Sequence, residues 1–470
     1  MRTGSDRLLI KAALLLTLLP LCLVAHARAA SFDCGKATTK TEKLICTDPE
    51  LSILDEDLTS TYNNATKKTS DPATLKHAQR AWLKERNLCN DSSCLRTQYR
   101  QRLADLNQVL TGFPTVFPAD ISEFKIDCDK AQSKAEKIIC KQDGSPLEQD
   151  WLAGVDKSMQ PLLQWALMRS QDKQKIIEAQ RQWQKQARDT CTDILSCVDV
   201  FSKRSMELQA TFERPGQCYV LKPLSDDKDN PQLDADGNVQ TIDPVCLAME
   251  ENLNQFCDQP PMVCGLQVAP RFRQQITFPE WSPLDPEANR SLIEEFFRAP
   301  WQDARIPEQN KLRLWEEERP KVEAALAAKR LTFSEARLDL FNVGKEQLTY
   351  RLDYGTCQAD NQQLANKPDW TTSSKSAPIQ IQHAPPIIRP LFQEYFPIGR
   401  GAAQEAFLFG GKTYTYWMMR GVDQHGVPQH DYPLYVNRHE RWAVHGDSKV
   451  NLTEHNKCRF DYQPNQEESK

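Results

Sequence analysis

The sequence predicts a multidomain α+β protein: two small, disulfide-bonded all-α units followed by a β-rich C-terminal domain. Three observations lead there. A skeleton of four cysteines and one tryptophan occurs twice, helix-capping signals recur at matching places in both copies, and the pattern turns to hairpins after residue 214.

The first copy, residues 32–106, carries Cys34, Cys46, Trp82, Cys89 and Cys94. The second, from residue 126 to about 208, carries Cys128, Cys140, Trp183, Cys191 and Cys197 in the same order. The first two cysteines are twelve residues apart both times. Thr39-x-x-Glu42 and Ser133-x-x-Glu136 are capping boxes, in which the hydroxyl takes a free amide of the first turn and the carboxylate reaches back to the cap's own amide. Each is followed by Lys, two aliphatics and Cys. Asp48-Pro49 and Ser145-Pro146 restart a helix with proline at its first position, where a missing N–H costs nothing. Gln79-Arg80-x-Trp82 matches Gln180-Arg181-x-Trp183, and Arg86 and Arg188 each precede the third cysteine by three residues.

In the first copy Leu51, Leu54, Leu58 and Tyr62 share one helical face, Leu75, Ala78 and Trp82 a second, and Leu95, Tyr99, Leu103 and Leu106 a third. Short amphipathic helices of this kind bury their stripes against one another. Core packing is the expected role of Trp82 and Trp183. Arg86 and Arg188 either brace a helix end or face a partner, and spacing alone leaves both open.

Residues 1–30 read as a secretory signal peptide: Arg2, Arg7 and Lys11, an apolar run over residues 12–24, and the small-x-small site Ala27-Arg28-Ala29, with cleavage near Ala29 or Ala30. Leu21 stands where a small residue should precede a lipidated Cys22, so a lipoprotein is not expected. The expected location is periplasmic or secreted. Leaving out these thirty residues, with four basic and one acidic, moves the net charge from −5 to −8. No nucleic-acid surface is implied, and no later apolar run is long enough to span a membrane.

The remaining cysteines are fourteen: Cys34, Cys46, Cys89, Cys94, Cys128, Cys140, Cys191, Cys197, Cys218, Cys246, Cys257, Cys264, Cys357 and Cys458. An even number in an exported chain predicts disulfides. Zinc is the competing use, but close CxxC pairs are absent. Four cysteines per repeat allow three pairings, and the sequence does not choose.

Residues 31–110 and 123–212 are thus expected to be helical domains joined by a linker over 111–122, which contains Pro114 and Pro118. Residues 217–470 form the third. Helices are expected over about 286–298 and 307–329, with Pro320 kinking or breaking the second. Hairpins follow: 338–341 with 348–352, and 406–409 with 413–419 around Gly410-Gly411. Strands are expected at 434–436 and 441–444, giving an antiparallel meander.

No nucleophile elbow, phosphate loop or His-Glu-x-x-His is present, so no catalytic residue, cofactor or cofactor-binding residue is assigned. His425, His430, His439 and His445, with His455, are candidate metal ligands, but their spacing matches no metal motif, and solvated loop histidines are expected. Asp234-Ala235-Asp236-Gly237-Asn238 has the look of a calcium loop without its closing glutamate, and reads as a hairpin turn.

The first copy resembles the N-terminal domain of the LprI-type lysozyme inhibitor family. The residues that carry the likeness are Asp33-Cys34, Glu42-Lys43-Leu44-Ile45-Cys46, Asp48-Pro49-Glu50-Leu51, Leu54-Asp55, Tyr62, Gln79-Arg80-Ala81-Trp82-Leu83, Arg86, Cys89, Cys94 and Tyr99. The second copy resembles it less closely, and residues 217–470 resemble no family as firmly. Asp339 to Lys345 is faintly similar to aspartate-glycine calcium hairpins, although Phe341 and Val343 stand at its ligand positions. The resemblance implies a small helical, disulfide-bonded, exported domain that in some members binds and inhibits lysozyme. The expectation is a binding protein rather than an enzyme, with lysozyme or another envelope or host protein as partner. An envelope enzyme with its site in residues 217–470, or an envelope scaffold, is the alternative.

Overall fold

The structure is a computed structural model. It describes residues 30–140, 149–211, 217–227, 230–231, 239–257, 266–298, 308–353, 387–390, 405–418, 434–443 and 450–462. The expected signal peptide up to residue 29, Ser145-Pro146, Asp234 to Asn238, Cys264, Cys357, His425, His430 and His445 lie outside these residues. Among the described residues no helix is long and apolar enough to cross a membrane.

The first unit is built from α1 (Lys40–Thr47), α2 (Pro49–Lys68), α3 (Pro72–Arg86) and α4 (Ser92–Thr111). Each start is fixed by an oxygen that takes otherwise free amides. Thr39 Oγ1 accepts from the Glu42 amide at 3.1 Å while Glu42 accepts from the Thr39 amide at 2.9 Å. The amides of Thr39 and Thr38 hold the Glu42 carboxyl below its usual range. Asp48 accepts from Glu50 and Leu51, Asp71 from Thr74, and Asp91 from Cys94. Gly112 ends α4 at φ +78°, a left-handed conformation that suits a residue without Cβ. The stripes meet in a core of Ile45, Leu51, Leu58, Leu75, Trp82, Leu95, Tyr99 and Leu106.

The second unit is built from α5 (Lys134–Ile139), α6 (Gln149–Arg169), α7 (Lys173–Gln186) and α8 (Ile194–Ala210). Ser133 and Glu136 form the matching capping box. Its apolar residues, among them Leu163 and Phe201, share one continuous core with Val220, Val245, Phe407, Tyr416 and Phe460 of the third region.

That region opens with β1 (Tyr219–Lys222), a small ribbon of β2 (Ser225–Asp227) and β3 (Asn230–Pro231), and α9 (Pro244–Leu253). There follow β4 (Ile276–Thr277), β5 (Ser282–Leu284), α10 (Arg290–Arg298), α11 (Glu308–Ala327), β6 (Thr332–Leu338), β7 (Gln347–Asp353), β8 (Ile387–Pro390), β9 (Glu405–Phe409), β10 (Lys412–Met418), β11 (Leu434–Ala443) and β12 (Val450–Tyr462). Two antiparallel sheets result, one ordered β1-β12-β11-β10-β9-β4 and one ordered β5-β6-β7-β8. The α+β organisation is the one the sequence predicts.

Three expectations change. The strand expected over 338–341 ends where it was to begin: β6 covers Thr332–Leu338, and residues 339–346 form the turn to β7. The strands expected at 434–436 and from 441 belong, over the described residues, to one long strand, β11 (Leu434–Ala443), whose register against β12 shifts between Val436 and Asn437, where a bulge absorbs the irregular pattern. Helix α11 runs through Pro320. Burial of Val322, Ala325 and Leu326 against Ile293, Phe296 and Phe333 offsets the hydrogen bond that proline removes.

The first unit rests on the larger sheet. A Cβ on Gly410 would lie 2.9 Å from Thr111, and one on Gly411 3.0 Å from Asn64, so the β9–β10 turn touches the C-terminal ends of α4 and α2 where only glycines fit. Segment 111–122 is tied down as well: Val116 and Ile242 exchange backbone hydrogen bonds at 3.1 and 2.9 Å.

Candidate functional site

In the first unit the helices converge on one buried carboxylate. Asp55 occupies the core face of α2, one turn after Leu51. Tyr99 on α4 donates its hydroxyl to Asp55 Oδ1 at 2.6 Å, and Ser31 donates its backbone amide and its hydroxyl to Oδ2 at 2.9 and 2.5 Å. Arg86, at the end of α3, donates to the Tyr99 oxygen at 3.0 Å and to Asn87, and lies 3.9 Å from Asp55. Its guanidinium also sits 5.5 Å from the Trp82 ring centre, which meets Tyr99 edge-on at 5.3 Å. Burial, reinforced by the Asp55 charge, pushes the Tyr99 hydroxyl well above its ordinary pKa. Arg86 therefore braces three helices from within.

The second unit keeps the frame and changes the polar content. Trp183 meets Phe201 edge-on at 5.1 Å, and Arg204 donates to Gln180 as Arg102 donates to Gln79, both at 2.9 Å. Phe201 has no hydroxyl, and Arg188 turns to Asp189 at 2.7 Å and Glu136 at 3.5 Å.

The disulfides staple these frames. Cys34 pairs with Cys46 and Cys89 with Cys94, repeated as Cys128–Cys140 and Cys191–Cys197. Cys218 pairs with Cys257, and Cys246 with Cys458. The short bridges fix the loop before α4 and its counterpart near α8. Leu88 on the first of these loops and Leu195 in the first turn of α8 are 78% and 74% exposed. Because Gly410 and Gly411 touch the C-terminal ends of α2 and α4, the Leu88 loop lies at the end of the unit away from the sheet.

In the third region the polar cluster is structural. Arg438 donates to Tyr414 at 2.7 Å and to Asp243, the cap of α9, at 3.0 Å, and pairs with Glu440, which also receives Lys457. Burial pushes the Glu440 carboxyl up, but Arg438 and then Lys457 outweigh it and hold it low. Two histidines expected in solvated loops lie on strands instead: His439 on β11 is buried edge-on to Phe341, and His455 on β12 is half-buried. Among the described residues no group of three or more His, Cys, Asp or Glu is placed to hold a metal. The Asp339 turn closes on itself, its carboxylate accepting from the amides of Val343 and Gly344 at 3.0 and 2.7 Å.

Glu405 stands apart. Burial raises its carboxyl to about 7, against the opposing pull of Arg351 at 3.3 Å. A carboxyl whose pKa is higher folded than unfolded stabilises the fold fully below its unfolded value, near 4.5, and that contribution is lost as pH rises through 7. The wild type should therefore lose roughly 1–3 kcal/mol between pH 5 and pH 8 through this group, a loss absent from Glu405→Gln. Urea unfolding of both proteins at the two pH values checks it, and equal losses would overturn it.

Sequence reasoning left Asp55 unassigned because a single acid on an apolar stripe resembles a tolerated edge residue. The signal was its place between Leu51 and Leu58 on a buried face. Neither a curated protein nor a solved structure shows significant similarity to the chain. Residues 34–109 match the family model described as lysozyme inhibitor LprI, and the span coincides with α1 to α4 and their two disulfides: this first helical unit is an LprI-type domain.

Proposed function

We propose that the protein is an exported binding protein whose LprI-type domain inhibits lysozyme. The observation that carries the reading is the family match over residues 34–109. Disulfides in every helical unit support an oxidising compartment.

Geometry favours one approach for the partner. The C-terminal ends of α2 and α4 are covered by the β9–β10 turn, so the opposite end, with Leu88 on its stapled loop, is the surface offered. Rigid loops lose little entropy on binding, and an apolar side chain at the centre of a contact is the usual anchor. Charge contributes differently. Residues 34–109 hold twelve Lys and Arg against ten Asp and Glu, so the acidity that would steer a basic lysozyme lies elsewhere in the chain.

Lysozyme turbidity assays test the reading. Chain lacking residues 1–29 should inhibit at micromolar concentration, and Leu88→Asp should weaken inhibition at least tenfold, equivalent to about 1.4 kcal/mol, with unchanged thermal unfolding. Raised salt should slow association more than it weakens the complex. No inhibition by the folded wild-type chain would remove the lysozyme reading.

A further inference from the structure

The buried Asp55 carboxylate lies beside the expected start of the processed chain. Ser31 clamps it with both backbone amide and hydroxyl, and Ala30, one residue earlier, is packed into the core of the LprI-type domain at 8% exposure. We propose that Asp55 is the seat of the mature amino terminus: a leader-removing peptidase cuts before Ala30, and the new α-ammonium, held beside Asp55 by Ser31, completes the domain.

The step is a hydrolysis. One water is consumed, the Ala29–Ala30 amide bond breaks, Ala29 keeps a carboxylate and Ala30 gains the ammonium. While the leader is attached, the Ala30 nitrogen is an uncharged amide. Removal places a full positive charge one residue from the clamped amide. The Asp55 side chain is only 6% exposed, and attraction between charges is several times stronger there than in water. The charged and titratable groups gathered with Ser31 around this carboxylate are Arg86 from α3 and Tyr99 from α4. Arg86 leaves room for a second cation, because its guanidinium is shared with Asn87 and Tyr99 and lies 3.9 Å from the carboxylate.

The second repeat supplies an internal comparison. Its chain enters from segment 111–122, so no terminus can exist there. Phe201 stands where Tyr99 does, and Arg188 is directed to Asp189 and Glu136. The polar seat is present in the repeat that follows a cleavable leader. A precursor would accordingly be looser than the mature protein, which favours export before tight folding.

The experiment compares the full chain beginning at Ala30 with the same chain extended by Gly-Ser, each with Asp55 and with Asp55→Asn. With Asp55 present the extended form should unfold about 2–4 °C lower at pH 7, and Asp55→Asn should abolish that difference. The α-amine should titrate above its ordinary value of about 7.7–8.0, and at pH 7.5 should react with an acylating probe several-fold more slowly than in the extended form. A pKa raised by folding contributes stability below the unfolded value and loses it as pH climbs through the folded one, so the difference should vanish near pH 10. Tyr99→Phe, the residue of the second repeat, keeps the comparison available should Asp55→Asn fail to fold: it should shrink the difference without abolishing it. Equal unfolding temperatures of the two Asp55 chains, or an ordinary α-amine titration, would overturn the proposal.

Discussion

Replacing Cys246 and Cys458 together by alanine should destabilise the protein by roughly 3–5 kcal/mol, against about 2 kcal/mol or less for Cys89 and Cys94 together. The ranking follows from what each bridge closes. Cys246–Cys458 joins residues 212 apart, whereas Cys89–Cys94 spans five. In the unfolded chain the longer bridge removes more conformations, although Cys218–Cys257, whose loop overlaps it from residue 246 to 257, takes back a fraction. Packing adds to the effect. Cys246 and Cys458 are 0% and 1% exposed where α9 crosses β12, so alanine leaves a void there as well. Urea unfolding followed by circular dichroism decides: equal losses in the two double variants would mean that loop closure and core burial are not what these sulfurs contribute.

What the sequence made legible was local. Caps such as Thr39 with Glu42 and Asp48 with Pro49 act within one turn, and the structure starts helices at both. Tryptophan spacing found Trp82 and Trp183, because a stripe repeating every three or four residues needs no partner to be recognised. Hairpins around Gly410-Gly411 were visible for the same reason. Partner choice between distant segments was not. Three pairings of four cysteines satisfy the same spacing, and only the fold places Cys34 within 5.7 Å of Cys46, Cα to Cα. Arg86 carries the same signal whether it faces inward or outward, and its position over Trp82 depends on how α3 meets α4. The continuous core that unites the second helical unit with the large sheet has no local signature, since the apolar face of α8 reads alike whether a helix or a strand covers it.

A buried ion pair crosses that shared core, and breaking it should be the most damaging single substitution. Glu250 on α9 accepts from Arg169, the last residue of α6, with both carboxylate oxygens at 2.6 Å, and from the Leu221 amide on β1 at 3.0 Å. The two side chains are 4% and 5% exposed. Glu250→Ala takes the bidentate carboxylate from the Arg169 guanidinium and leaves the Leu221 amide without its acceptor, and breaking one side of a buried ion pair typically costs about 3–5 kcal/mol. Replacing the pair by apolar residues of similar size, Arg169→Met with Glu250→Leu, removes both charges at once and should recover most of that loss. Because the pair joins the second helical unit to α9 and β1, Glu250→Ala should also broaden the unfolding transition as the two parts lose their common anchor. Urea titration of the wild type and the two variants measures both effects. A Glu250→Ala protein within 1 kcal/mol of wild type, or a double variant weaker than the single one, would show that the contact is accommodated by solvent and that the apolar surface alone holds these elements together.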